Sequence, residues 1–165
     1  MEYEVNGLPM HVLLVHATVI VIPVAALCTI LSLVWPTARR RLGIVTPLIA
    51  LAALVLVPIT QQAGEWLLTR IDVTPLVQEH QQLGEMMLPW VIGIFMAALG
   101  QWLWFRYGTT TAAGIRRKLG AAGTRVLAAL AVLVIAAVCV GATVMIVQVG
   151  ESGARAVWQG SYSEG

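Results

Sequence analysis

Charged residues are scarce in this chain, and cysteine is scarcer. Eight Asp and Glu and ten Lys and Arg make up 11% of its 165 residues, against 59% hydrophobic residues. A soluble domain of this length has no interior large enough to hide so much apolar surface. Its two cysteines, Cys28 and Cys139, form no CxxC, which excludes redox and zinc motifs of that kind. They fall at different depths of apolar segments, so two free buried thiols are expected rather than a disulfide. HExxH, GxSxG, the P-loop and paired intramembrane aspartates are all missing. Intramembrane hydrolysis and ATP use therefore have no support, and the chain is at most a redox carrier. Low-complexity segments and convincing internal repeats are also lacking, which leaves a single domain over residues 1–165.

What is present is apolar sequence in four blocks: Met10–Val34, Leu42–Ile59, Met86–Phe105 and Val126–Val149. None contains Lys, Arg, Asp or Glu, and each reaches the roughly 18 residues that mark a membrane-spanning helix. Backbone in lipid must satisfy its own hydrogen bonds, so each block is expected to be a helix. The first is too long for a signal core and follows Glu2 and Glu4 with no basic start, so it is read as a retained span. The fold class is thus all-α, an integral membrane four-helix bundle.

The few charges are sorted. Arg39, Arg40 and Arg41 lie between spans one and two, and Arg106, Arg116, Arg117, Lys118 and Arg125 between spans three and four. These eight read as cytoplasmic. The other side carries all eight carboxylates, with only Arg70 and Arg155 for company, leaving the two sides at +8 and −6. Both termini are expected outside. The basic loops meet anionic lipid heads, and the pI of 8.8 implies no nucleic acid.

Residues 60–70 are expected to continue helix two beyond the hydrocarbon. Thr74-Pro75 reads as a helix start with Thr as N-cap and Pro at the first helical position. Helix three is then predicted from Pro75 to Tyr107, with Leu76, Leu83, Met87, Trp90 and Ile94 as its packing stripe. Pro23, Pro58 and Pro89 each remove a backbone bond, and three bends toward one face point to a bundle that widens outward. Gly93 and Ala97, and Ala137 and Gly141, form small-xxx-small pairs that let helices approach closely. Six tryptophans divide between the two expected interfaces, Trp66, Trp90 and Trp158 at the outer and Trp35, Trp102 and Trp104 at the inner one.

All three histidines belong to the acidic side. His16 lies about two turns inside span one, and an ionisable side chain at that depth is a functional candidate by default. His80 fills the gap between Leu76 and Leu83, so it is expected to point inward. Two inward imidazoles at a similar level can ligate a haem iron or a metal ion. The structural alternative is a histidine bonded to a nearby carbonyl or hydroxyl, as Thr18, Thr60 and the Val19 carbonyl freed by Pro23 would allow. His11 precedes His16 by five positions, about 140° away on the helix wheel, which reads as an interface residue with a lesser claim to ligation. Glu65, Glu85 and Glu151 are candidate second-layer acceptors that orient the imidazoles.

Residues 7–23, GLPMHVLLVHATVIVIP, and 150–158, GESGARAVW, together with His80, resemble the domain of unknown function 2231 family of bacterial membrane proteins, most closely its short actinobacterial forms. The resemblance covers nearly the whole chain. Some members carry a fused Rieske iron–sulfur domain or a cytochrome-like neighbour, which implies a place in membrane electron transfer. It carries over His11, His16 and His80 as ligand candidates. Members often show a histidine where this chain has Glu151.

The sequence-level expectation is a haem b-binding, or alternatively metal-binding, accessory or electron-transfer subunit. It is placed in the bacterial cytoplasmic membrane, with its site at His16 and His80 near the periplasmic face. A respiratory or redox membrane partner and a homo- or hetero-oligomer are expected with it. The other readings are a non-catalytic structural subunit of a membrane complex and a transporter or sensor of a small solute or metal. Four short helices with no two-fold repeat argue against transport.

Overall fold

The computed structural model describes residues 3–159. Glu2 and Glu164, two of the carboxylates assigned to the acidic side, lie outside the described residues. A short hairpin of β1 (Glu4–Val5) and β2 (Leu8–Pro9) leads directly into α1 (Met10–Val34). There follow α2 (Pro36–Leu42), α3 (Val45–Leu68), α4 (Pro75–Glu85), α5 (Met87–Tyr107) and α6 (Thr109–Trp158). Four helical segments, Met10–Val34, Val45–Leu68, Pro75–Tyr107 and Thr111–Trp158, are long and apolar enough to cross a membrane. The chain is therefore, by length and composition, a multi-pass membrane protein. The long helices close into a ring in which α1 and α5 each pack against both α3 and α6.

The surface and interior are inverted relative to a soluble bundle. Ile20, Leu27, Leu133, Val134 and Val147 stand on the outside, while Thr18, Thr29, Ser32, Thr46, Thr60, Gln101 and Ser152 are buried. The core is lined by Ala25, Ala26, Ala50, Ala53, Ala98 and Ala142, with Ile22, Val91 and Ile94 among the larger side chains that are fully buried. Lipid tails are as apolar as these side chains, so close packing and interhelical hydrogen bonds hold the helices together. The Thr29 hydroxyl donates to the carbonyl four residues back, and of Thr18 and Thr60 one does the same while the other donates across to it. Two hydroxyl pairs then tie α1 to α3, Thr18 to Thr60 at 3.1 Å and Ser32 to Thr46 at 3.0 Å.

Small residues on the facing helices are used inside the bundle. The Trp90 ring of α5 fills the notch at Gly141, where any Cβ would collide with it, and Gly93 lies against Val138. Trp90 thus packs within the bundle. Cys28 and Cys139 are free thiols, the first partly buried and the second fully.

Helix three is interrupted where an unbroken run was expected. Pro89 has no N–H to give to the Glu85 carbonyl. Met86 adopts φ −71°, ψ −6°, and the chain restarts as α5. At the other end of the bundle Gly43 (φ 46°, ψ −123°) separates α2 from α3, so span two begins at Val45 rather than Leu42. Gly120 (φ 68°, ψ −177°) breaks the helical path inside α6.

Candidate functional site

The site lies where the start of α1, the end of α3, all of α4 and the end of α6 converge. Asn6 and Gly7, with φ of 52° and 77°, make the tight turn of the hairpin. The hairpin folds over α3: the Tyr3 hydroxyl donates to Gln62 Oε1 at 3.1 Å, and its ring stands 6.4 Å from that of Trp66. His11 follows in the first turn of α1. On the far side Thr74 caps α4 by accepting from Val77 N–H, as expected. Arg155 of α6 reaches Glu79 of α4 at 3.0 Å and Glu151 at 3.3 Å. Gln61 donates to the Gly84 carbonyl at 2.8 Å and fixes the other end of α4.

His11 and His80 meet across this convergence. Their ring centres are 6.1 Å apart and the planes cross at 78°. His11 Nδ1 lies 2.9 Å from the Thr60 carbonyl oxygen of α3. His80 Nδ1 lies 3.1 Å from the Val149 carbonyl of α6 and 3.1 Å from Ser152 Oγ. A carbonyl oxygen only accepts, and Ser152 spends its own proton on Val149 O at 2.9 Å. Both imidazoles must therefore carry their proton on Nδ1 and donate it. In the neutral rings this leaves Nε2 with its lone pair on both histidines.

Two glycines make room for the rings. A Cβ at Gly64 would stand 3.0 Å from His11 Cε1 and Nδ1, and one at Gly153 would stand 3.0 Å from His80 Cε1. Each imidazole thus lies flush against a neighbouring helix at a position where any larger residue would press on it.

His16 does not join them. It is exposed on the outside of α1 beside Val12, Val19 and Ile20, and its Nδ1 donates to the Val12 carbonyl of its own helix at 2.6 Å. The expected inward pair of His16 and His80 is corrected to His11 and His80. The reason is angular: five residues of helix turn His16 away from the face on which His11 lies. Nor do the three acids touch an imidazole. Glu65 is exposed, Glu85 accepts from Gln81 at 2.9 Å, and Glu151 pairs with Arg155. The second layer consists instead of the Thr60 and Val149 carbonyls and the Ser152 hydroxyl. Among the described residues no three His, Cys, Asp or Glu side chains gather closely enough to hold a metal ion.

Fold and site together define a four-helix membrane bundle with a paired-imidazole centre at one end. No family model, curated protein or solved structure matches the chain.

Proposed function

We propose that this protein is a membrane-embedded electron-transfer or accessory subunit whose metal centre is held by His11 and His80. The spacing of the two rings is the observation that carries this reading. With metal–nitrogen bonds of about 2.0–2.1 Å and roughly 1.1 Å more to each ring centre, two imidazoles that share one ion have centres no more than about 6.3 Å apart. The observed 6.1 Å is within that reach, so His11 and His80 would together hold a haem iron or a transition-metal ion. Without a CxxCH attachment motif the haem would be of the b type. Bound there, such a centre would supply reversible one-electron transfer.

The chain's own groups hold and tune the two ligands. The Thr60 and Val149 carbonyls take the Nδ1 protons, which fixes both tautomers and raises the basicity of each Nε2. Ser152 adds a second acceptor for His80. The sorting of loop charges supports an outward orientation of this end, from which the centre would exchange electrons with a periplasmic or quinone partner.

The test is the purified protein's reduced-minus-oxidised spectrum with its elemental analysis. About one haem or one transition-metal ion per chain is expected, held at neutral pH and released on acidification, because a protonated Nε2 has no lone pair to give. A protein with neither haem bands nor stoichiometric metal overturns the reading.

A structural role is the second reading, and the same bonds favour it. His11 ties α1 to α3 and His80 ties α4 to α6, so the pair can serve as a clasp in a non-catalytic subunit of a larger complex. Native mass spectrometry from mild detergent would then show a stoichiometric partner and no bound cofactor.

A further inference from the structure

The opposite end of the bundle holds a cleft of about 240 Å³ between α1, α2, α3 and α5. Its wall carries Arg39, Arg40 and Arg106, and no carboxylate lines it. Both ion pairs among the described residues lie at the other end, on Arg155. Arg39 is held in place by neutral groups: Nε donates to the Ser32 carbonyl and Nη2 to the Leu33 carbonyl, both at 2.7 Å, and its guanidinium stacks 3.4 Å above the Phe105 ring. These contacts occupy only part of the guanidinium fork and fix its direction without neutralising its charge. Arg40 and Arg106 are exposed at the rim.

The inner wall of the cleft carries an unmatched acceptor. Gln101 is 7% exposed, and its Nε2 donates to the Thr29 carbonyl at 3.0 Å. Its Oε1 is buried and has no hydrogen-bond partner among the described residues. A buried amide oxygen is normally met by a donor. Ser32 and Thr46 in the lining bond to each other at 3.0 Å, and Ala98, Trp102 and Phe105 give it an apolar side. The cleft thus offers guanidinium groups for a phosphate, one buried acceptor for a hydroxyl and an apolar wall for a hydrocarbon chain.

We propose that this cleft binds an anionic phospholipid whose headgroup bears a free hydroxyl, of the phosphatidylglycerol type. The phosphate lies among Arg39, Arg40 and Arg106, a headgroup hydroxyl donates to Gln101 Oε1, and an acyl chain leaves along Trp102 and Phe105. Basic pockets between the ends of spanning helices are suited to such headgroups. A bilayer supplies the ligand at high local concentration to a chain with four membrane-length helices.

The experiment titrates the delipidated full chain in detergent and reads bound lipid by native mass spectrometry. The probes are dioleoylphosphatidylglycerol, dioleoylphosphatidylmethanol, dioleoylphosphatidylcholine and inorganic phosphate. Phosphatidylmethanol keeps the charge but has no hydroxyl, and phosphatidylcholine is neutral overall. Phosphatidylglycerol is expected to bind at least about tenfold more tightly than phosphatidylcholine, with phosphatidylmethanol between them and inorganic phosphate without competing effect. Gln101→Leu should lower phosphatidylglycerol to the phosphatidylmethanol level and leave phosphatidylmethanol unchanged. Arg40→Gln/Arg106→Gln, at two exposed positions, should bring both anionic lipids to the phosphatidylcholine level and keeps the proposal testable if Gln101→Leu does not fold. Equal binding of phosphatidylglycerol and phosphatidylcholine overturns the proposal. So does full competition by inorganic phosphate, or an unchanged hydroxyl preference in folded Gln101→Leu.

Discussion

The two ends of the bundle treat buried polar atoms in opposite ways. At the histidine end the half-buried side chains are held by partners inside the chain: His11 by Thr60, His80 by Val149 and Ser152, Gln61 by Gly84. At the arginine end Gln101 keeps one atom bonded and one bare, and three cations gather without a counter-ion. The first end has fixed its side chains and leaves two nitrogen lone pairs to spare. The second fixes Arg39 and Gln101 and leaves an acceptor and positive charge to spare. On the two proposals the ends would take different classes of ligand, a metal centre with nitrogen donors at one and an anion that carries its own hydroxyl at the other.

Glycine shows the same division. At the histidine end it provides room, since a Cβ at Gly64 or Gly153 would press on an imidazole at 3.0 Å. At the arginine end Gly43 has nothing within 4 Å of its missing Cβ but adopts φ 46°, a conformation only glycine takes without strain. The largest effect is expected from Gly153→Val, which should lower stability by about 1–3 kcal/mol through overpacking. Shrinking the opposing ring with His80→Ala should recover part of that loss in denaturant unfolding of the detergent-solubilised protein. Gly43→Ala should cost about 1–2 kcal/mol through its backbone, and no truncation of a neighbouring side chain should recover it. Rescue at Gly43, or none at Gly153, would erase the distinction between room and conformation. The smallest effect belongs to Arg155→Gln. Its pairs with Glu79 and Glu151 are exposed, and the loss should stay within about 0.2–1 kcal/mol and fade with added salt.

Much of the bundle was legible in the sequence because lipid enforces a simple rule: uncharged runs of membrane length become helices. The Thr74 cap was equally plain. The break at Met86 was less so, since Pro89 announced a lost hydrogen bond but not whether the helix would bend or stop. The hairpin carried a signal that was passed over, Asn6-Gly7 between short apolar stretches.

The choice among histidines turned on the wrong weight. Depth favoured His16, but the face of α1 was already marked by its small and hydroxyl side chains. Thr18, Ile22, Ala25, Thr29 and Ser32 are buried at spacings of four, three, four and three, and the same steps taken backwards reach residues 15 and 11, not 16. A polar stripe on a membrane helix locates the interior more surely than the position of one ionisable residue along it. Gly64, Gly153 and the two accepting carbonyls could not be read this way, because their role depends on which ring arrives from another helix. Gln101, an amide inside the third apolar run, was not singled out from the sequence and gains meaning only beside the arginines.

The account stands on the pairing of His11 with His80 and the separation of His16 from both. Its most direct test compares three single variants, His11→Ala, His16→Ala and His80→Ala, for haem or metal retained per folded chain at neutral pH. Loss in the first and third by at least about tenfold, with retention in His16→Ala, is the predicted result. Loss in His16→Ala with retention in His11→Ala would contradict it.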